Sequence, residues 1–271
     1  MKQNRETFEP VFEEISEIAA YLWERGWAER NAGNYSVDVT GAIPKCFETG
    51  NGVRTARFEQ NIECTHLAGR SFLVKATGAR FRDIINNPQC NMILVGISET
   101  LDGYTVTAIG ETAHATPTSE FPSHLKIHCL LRKDGRPETS VLHTHPNELI
   151  ALSHIAEFRN EHELNRLLFS MHPEMKVVIP EGIGVVPYTV PGSDALADAT
   201  LIALKGRRIV LWEKHGCIAV GRSAHEAFDL IDTVNKSAKI YFTCRSAAHT
   251  PEGLSDMHID ELVRAFSLDK K

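Results

Sequence analysis

Nowhere in the 271 residues is there an apolar run of the roughly 20 residues that a membrane-spanning helix needs, which excludes insertion by a hydrophobic helix. The first ten residues, MKQNRETFEP, lack the apolar core of a secretion signal and carry acidic groups that transit peptides avoid, so the chain is expected in the cytoplasm. Basic runs are missing too. The 29 Lys and Arg are scattered among 35 Asp and Glu for a net charge of -6, and without a basic footprint neither nucleic acid nor membrane is expected as a partner. Small molecules remain. The six cysteines, Cys46, Cys64, Cys90, Cys129, Cys217 and Cys244, contain no C-x-x-C pair. That argues against a cysteine zinc site and a thioredoxin-like motif, and they are read as reduced packing residues. Repeats, low-complexity tracts and Pro/Ser linkers are also lacking, so residues 1–271 are read as one domain.

What the chain does contain is enough apolar material for a core, 42% of its residues, and an excess of histidine, 13 in all. Histidine is the commonest metal ligand and general acid-base group, so chemistry is sought there first. Phe8, Val11, Phe12, Ile15, Ile18, Ala19 and Leu22 recur at helical spacing and predict a helix over 7–26, with Gly26 at its C-terminal cap. Alternation predicts a strand at 35–39, and further strand candidates fall at 71–75, 91–97, 103–109, 139–145, 175–179, 182–186, 208–212 and 216–220. Helical patterns fall at 119–133, 147–156, 161–171, 193–205 and 223–248. Residues 40–70 show no periodicity and read as an irregular insertion. Helices separate some strands and short turns such as Leu101–Gly103 join others, which predicts a mixed sheet covered by helices in an α/β fold.

In the strand ending VLHTHP, His143 and His145 share a face because side chains alternate along a strand, so the pair can chelate one ion. A strand end that merely exposes two histidines is the equal alternative. His215, in the turn of WEKHG between two apolar strands, is the best third ligand, although alone it reads as an ordinary turn residue. A competing cluster is Glu120, His124 and His128, spaced four apart on a predicted helix. The H-E-x-x-H order is absent, and His124 and His128 as packing residues is the plainer reading. In TPTSE, Thr118 and Ser119 stand at a helix N-terminus, either as caps or as an anion site. The loops RNAGN (30–34) and KATG (75–78) carry small residues beside amide or hydroxyl groups and are either turns or phosphate loops.

Read in the order RNAGN, KATG, PTSE, HTH and KHG, the chain resembles the zinc-dependent class II aldolases, a family that shares its fold with phosphosugar epimerases. GWAERNAGN (26–34), PTSEFPSH (117–124), PEGIGVVPYTVPGSD (180–194) and FDLIDTVNKSA (228–238) carry the resemblance over most of the chain. It implies a single three-layer α/β/α domain with a mixed, largely antiparallel central sheet. It also implies a homotetramer with active sites near subunit interfaces, and one Zn2+ per subunit on His143, His145 and His215. The substrate would be a phosphorylated ketose, cleaved reversibly to dihydroxyacetone phosphate and an aldehyde. By the same resemblance Asn31, Gly33, Asn34, Thr77, Gly78, Thr118 and Ser119 bind the phosphate, Glu120 is the catalytic acid-base, and Glu174 is a second catalytic carboxylate that reaches the adjacent subunit's site. The family's T-G-S-G loop is KATG here, with Lys75 and Ala76 in place of Thr and Gly, and Ala32 replaces a Gly. The alternatives on the same scaffold are L-fuculose-phosphate aldolase, ribulose-phosphate 4-epimerase and methylthioribulose-phosphate dehydratase. A non-catalytic binding module is the alternative from a different class.

Overall fold

Alternation along each strand decides how the layers stack. In the computed structural model, which describes residues 2–42, 53–57, 64–110 and 116–268, neighbouring residues of one strand enter different hydrophobic clusters. Leu73 of strand β3 (Ser71–Lys75) packs on one side of the sheet, while Phe72 and Val74 pack on the other. In β4 (Met92–Ile97), Met92 and Leu94 go one way and Ile93 and Val95 the other.

The remaining strands are β1 (Asn34–Asp38), β2 (Val53–Arg57), β5 (Gly103–Ala108), β6 (Ser140–Thr144), β7 (Gly184–Val186), β8 (Ile209–Trp212) and β9 (Gly216–Gly221). They form one nine-stranded sheet in the order β2-β5-β4-β3-β1-β6-β9-β8-β7. Every neighbouring pair is antiparallel except β7 and β8. This is the mixed sheet that the residue patterns predict, largely antiparallel as the resemblance implies.

The helices are α1 (Lys2–Glu24), α2 (Phe81–Ile84), α3 (Pro88–Asn91), α4 (Phe121–Lys133), α5 (Asn147–Ser153), α6 (Glu161–Met171), α7 (Pro173–Val178), α8 (Asp194–Ala203), α9 (Ala224–Ser246) and α10 (Asp256–Ala265). Apolar stripes of α1, α5, α6 and α9 cover one face against Tyr35, Leu73, Leu142 and Leu211. On the opposite face Phe121 and Leu125 of α4 meet Phe72 and Val74, while its Ile127 and Leu131 join Val141, Val210 and Leu196 of α8. Each fully buried side chain of this kind contributes about 1.5–3 kcal/mol. The sheet is therefore the middle of three layers.

Four expectations change. Residues 175–179 are not a strand: Met175–Val178 lie in helix α7, whose N-terminus Pro173 preorganises, Ile179 follows at its C-cap, and only Met175 of the helix is buried. A short apolar run bears no period that separates strand from helix. Val53–Arg57, inside the stretch read as irregular, pairs with β5 as the edge strand β2. Helix α10 lies beyond the last predicted element and opens on a capping box made by Ser255 and His258. Finally, Cys64 and Cys129 are not separate thiols but a disulfide, with Cα atoms 6.2 Å apart, because the turn after Cys64 packs on α4. Cys90, Cys217 and Cys244 are free as expected, and Cys46 lies outside the described residues.

Candidate active site

Antiparallel pairing brings motifs that are far apart in sequence to one end of the sheet. Asn34, at the start of β1, stands opposite His143 near the end of β6, and His143 stands opposite Ile218 near the start of β9. The start of β1 also faces the end of β3, where Ser36 pairs with Val74. The loops before β1, after β3, after β6 and between β8 and β9 therefore meet. Helix α4 is tied to the same end by a bridge between Ala76 and Pro117 and by the Thr118 amide donating to the Lys75 carbonyl.

The three histidines converge. Ring centroids of His143, His145 and His215 lie 4.9–5.3 Å apart, and one nitrogen from each falls within 4.8 Å of the others. Their orientation is set from behind. His143 Nδ1 bonds the Cys217 carbonyl at 2.9 Å, which fixes the Nδ1–H tautomer and leaves the Nε2 lone pair facing the site. His145 Nδ1 is 2.8 Å from Glu29 Oε1, and its buried Nε2 has no partner. His215 stacks on Trp212, its buried Nδ1 also without a partner. Burial holds His143 far below the usual imidazole range and pushes His215 down to about 4. Three imidazoles with convergent nitrogens, His143 and His215 held neutral by burial, are the donor set a divalent transition metal requires, so the residues fit such an ion. Gly216 is confined here: a Cβ on it would stand 2.5 Å from the Thr144 carbonyl oxygen and 2.8 Å from His145 Cδ2.

Glu120 closes the site from the α4 side, as the residue that precedes the helix. Its carboxylate oxygens lie 3.8 Å from His143 Nε2 and 3.9 Å from His215 Nε2. Burial raises its pKa, opposed by a hydrogen bond that Asn34 Nδ2 donates to Oε2. The helical ladder reading is resolved at the same place. His124 and His128 are fully buried and turn away from the histidine triad toward Ser36, whose hydroxyl meets His124 Nδ1 at 2.6 Å and His128 Nε2 at 2.8 Å.

A pocket beside the triad is lined by Asn31, Ala32, Gly33, Asn34, Lys75, Ala76, Thr77, Gly78, Thr118, Ser119 and Glu120 together with the three histidines. All seven residues matched to phosphate binding are thus brought together. Gly33 has φ of 70°, and a Cβ there would stand 2.8 Å from the His143 carbonyl, so no other residue fits. Three of the side chains are partly committed: Thr77 donates its hydroxyl to the Pro117 carbonyl, the Thr118 hydroxyl oxygen accepts from the Glu120 amide at 3.5 Å, and Asn34 uses both polar atoms within the protein. One Nδ2 hydrogen of Asn34 and the acceptor pairs of Thr77 remain for a ligand. Glu174, by contrast, is exposed on α7, held by His172 Nδ1 at 2.8 Å and not among the pocket residues of its own chain.

Two site residues escaped sequence reasoning. Glu29 orients His145 from two positions before the RNAGN asparagine, and only its place in GWAERNAGN marked it. Lys75, noted solely as a departure, is 2% exposed, donates to the Asn31 carbonyl at 3.1 Å, and is pushed down to about 8 by burial.

The model of the class II aldolase and adducin N-terminal domain matches residues 13–242. A rhamnulose-1-phosphate aldolase of Bacteroides thetaiotaomicron is 37% identical over 268 residues, covering 99% of this chain and 98% of its own. One of Listeria welshimeri is 33% identical over 260 residues, covering 95% and 91%. Among solved structures, a sugar-phosphate aldolase from Thermotoga maritima superposes with a TM-score of 0.78 at 30% identity, over 91% of this chain and 99% of that one.

The buried histidines make stability depend on pH. Burial pushes His124 and His128 down from 6.5 to about 3, so below pH 6.5 the unfolded chain binds protons that the native chain refuses. Stability therefore falls as pH drops from 6.5 toward 3, by about 2 kcal/mol per histidine at pH 5. Urea unfolding at pH 7 and pH 5 should show a smaller loss for His128→Leu than for the parent. Equal losses would mean that His128 is protonated in the native state.

Proposed function

The chain belongs to the class II aldolase and adducin N-terminal domain family, and we propose that it reversibly cleaves L-rhamnulose 1-phosphate to dihydroxyacetone phosphate and L-lactaldehyde, in the cytoplasm, as part of rhamnose catabolism. We read each chain as a single catalytic domain holding one Zn2+ and assembled into a homotetramer. The observation that carries the reading is the meeting of three imidazoles with convergent nitrogens, one buried carboxylate and two small-residue loops in one pocket. A non-catalytic binding module would have no use for that donor set.

A cation held by His143, His145 and His215 supplies Lewis-acid stabilisation of the negative charge that builds on the ketose carbonyl oxygen as the carbon–carbon bond breaks. The protein's own groups handle the protons. In cleavage, the hydroxyl on the aldehyde side loses its proton, and the carbon of the dihydroxyacetone phosphate half gains one. Glu120, beside the triad and with its pKa raised by burial, serves the carbon. Glu174 of a neighbouring subunit serves the oxygen: its exposure leaves it free to enter another chain's site, and the bond from His172 holds its pKa low, keeping it ionised and ready to accept. The phosphate rests on Asn31, Gly33, Asn34, Thr77, Gly78, Thr118 and Ser119, with the Lys75 ammonium as its counter-charge.

Three measurements test this. Purified protein given L-rhamnulose 1-phosphate should release dihydroxyacetone phosphate, lose that activity to a chelator and regain it with zinc, whereas turnover of L-fuculose 1-phosphate alone would move the substrate assignment. Lys75→Gln should raise KM for the phosphorylated ketose by about tenfold or more with little change in kcat, as expected when ground and transition states lose the same contact. An equal rise for an unphosphorylated ketose would remove Lys75 from phosphate binding. Co-refolding inactive Glu120→Gln with inactive Glu174→Ala should restore part of the activity. Hybrids that form and stay inactive would confine both carboxylates to one chain or take Glu174 out of the reaction.

A further inference from the structure

Beneath the site a continuous line of buried polar groups runs from Glu120 and Asn34 to Ser36, His124 and His128, three residues that the proposed chemistry does not use. Glu120 Oε2 accepts from Asn34 Nδ2, and Asn34 Oδ1 meets His124 Nε2. His124 Nδ1 lies 2.6 Å from Ser36 Oγ, which lies 2.8 Å from His128 Nε2. Asn34, Ser36, His124 and His128 are all at most 4% exposed. The line stops at His128, whose Nδ1 has no partner and whose ring packs on Phe72 with centroids 4.6 Å apart. It does not reach solvent at that end, so it is no proton path to the bulk.

Elementary donor-acceptor rules permit one direction along this line. An ionised Glu120 only accepts, so Asn34 must turn its Nδ2–H to it and its Oδ1 to His124. His124 must then carry its hydrogen on Nε2 and offer the Nδ1 lone pair, which takes the Ser36 hydroxyl. Ser36 can then only accept from His128, whose hydrogen must sit on Nε2. The far end agrees independently. This order leaves a bare lone pair on the orphaned His128 Nδ1, whereas the reverse order would bury an unpaired N–H, the costlier orphan.

We propose that Ser36, His124 and His128 are positioning residues for Glu120. They lock the Asn34 amide in the one orientation that presents a donor to the carboxylate, and so hold Glu120 against the histidine triad. This rests on the reading of Glu120 as the acid-base group. It also assigns Asn34 a duty that its place in the RNAGN loop did not suggest. Packing alone would ask only that His124 and His128 have the right shape; the line asks for a donor at a stated nitrogen.

The test joins a spectroscopic signature to a kinetic one. In the metal-loaded protein labelled with 15N-histidine, long-range 1H–15N correlation should find His124 and His128 both neutral with hydrogen on Nε2. The Nδ1–H tautomer at either would overturn the direction of the line. His124→Leu should keep one metal per chain and a KM within about threefold of the parent, while kcat falls about 10- to 100-fold, the range for losing a partner behind a site residue. His124→Gln, which offers an amide N–H near the Nε2 position, should regain most of that loss. If Glu120→Gln is inactive, a His124→Leu protein that keeps full kcat, or a His124→Gln protein as slow as His124→Leu, would overturn the positioning role. If Glu120→Gln itself keeps full turnover, the acid-base reading falls, and the tautomers still decide the direction.

Discussion

The backbone hydrogen bonds that hold β6 between β1 and β9 set the position of every group at the site. Asn34, His143 and Ile218 lie in register across these strands. A slip of one residue would turn His143 and Val141 from the α4 side of the sheet to the α1 side. It would also separate His143 from the Cys217 carbonyl that fixes its tautomer. The triad thus depends on strand register, and register depends on which face each apolar side chain must occupy. Val141 and Leu142 enter opposite clusters, so β6 cannot slip without exposing one set or burying the other wrongly.

The two faces of the sheet carry different burdens. Under α1, α5, α6 and α9 the contacts are overwhelmingly apolar, with Leu73, Leu142 and Leu211 against helical leucines and isoleucines. Under α4 the strands present the polar Asn34 and Ser36 beside Phe72 and Val74, and the helix answers the polar pair with His124 and His128. A buried polar group without a partner costs about 1–3 kcal/mol, so this layer is tolerable only because nearly every group is satisfied. The apolar ring around it, Phe72, Phe121 and Leu125, excludes the water that would otherwise compete.

How much of this was legible in the sequence follows from what each signal encodes. Short runs bounded by turn residues predicted eight of the strands, since both signals are local, and strand alternation placed His143 and His145 on one face. The RNAGN, KATG, PTSE and KHG segments were visible as turns or caps because Gly33, Gly78 and Ser119 belong to such local geometry. Their convergence was not visible. It arises from strand order, which no local pattern carries, and only the resemblance supplied it. MKVVI misled because so short a run, four apolar residues and Lys176, bears no period, and the disulfide partners are 65 residues apart with nothing local to pair them. Glu29 and Lys75 acquire their roles only through contacts with His145 and Asn31 across loops.

The histidine triad also shapes the energetics of the fold. Three imidazoles whose nitrogens point at one another, with Glu120 less than 4 Å from two of them, form an arrangement the protein would not adopt for its own stability. Burial already forces His143 and His215 neutral, so little charge must be removed before a cation enters, and the rings are held in place by Cys217, Glu29 and Trp212. A ligand that binds only the native chain shifts the folding equilibrium by RT ln(1 + [L]/Kd), a gain of about 4 kcal/mol at a thousandfold excess over Kd. A cation held at the triad would therefore stabilise the native chain. Rigid strands on one side and the Glu120–Asn34–His124 line on the other are what keep the site from collapsing before that happens.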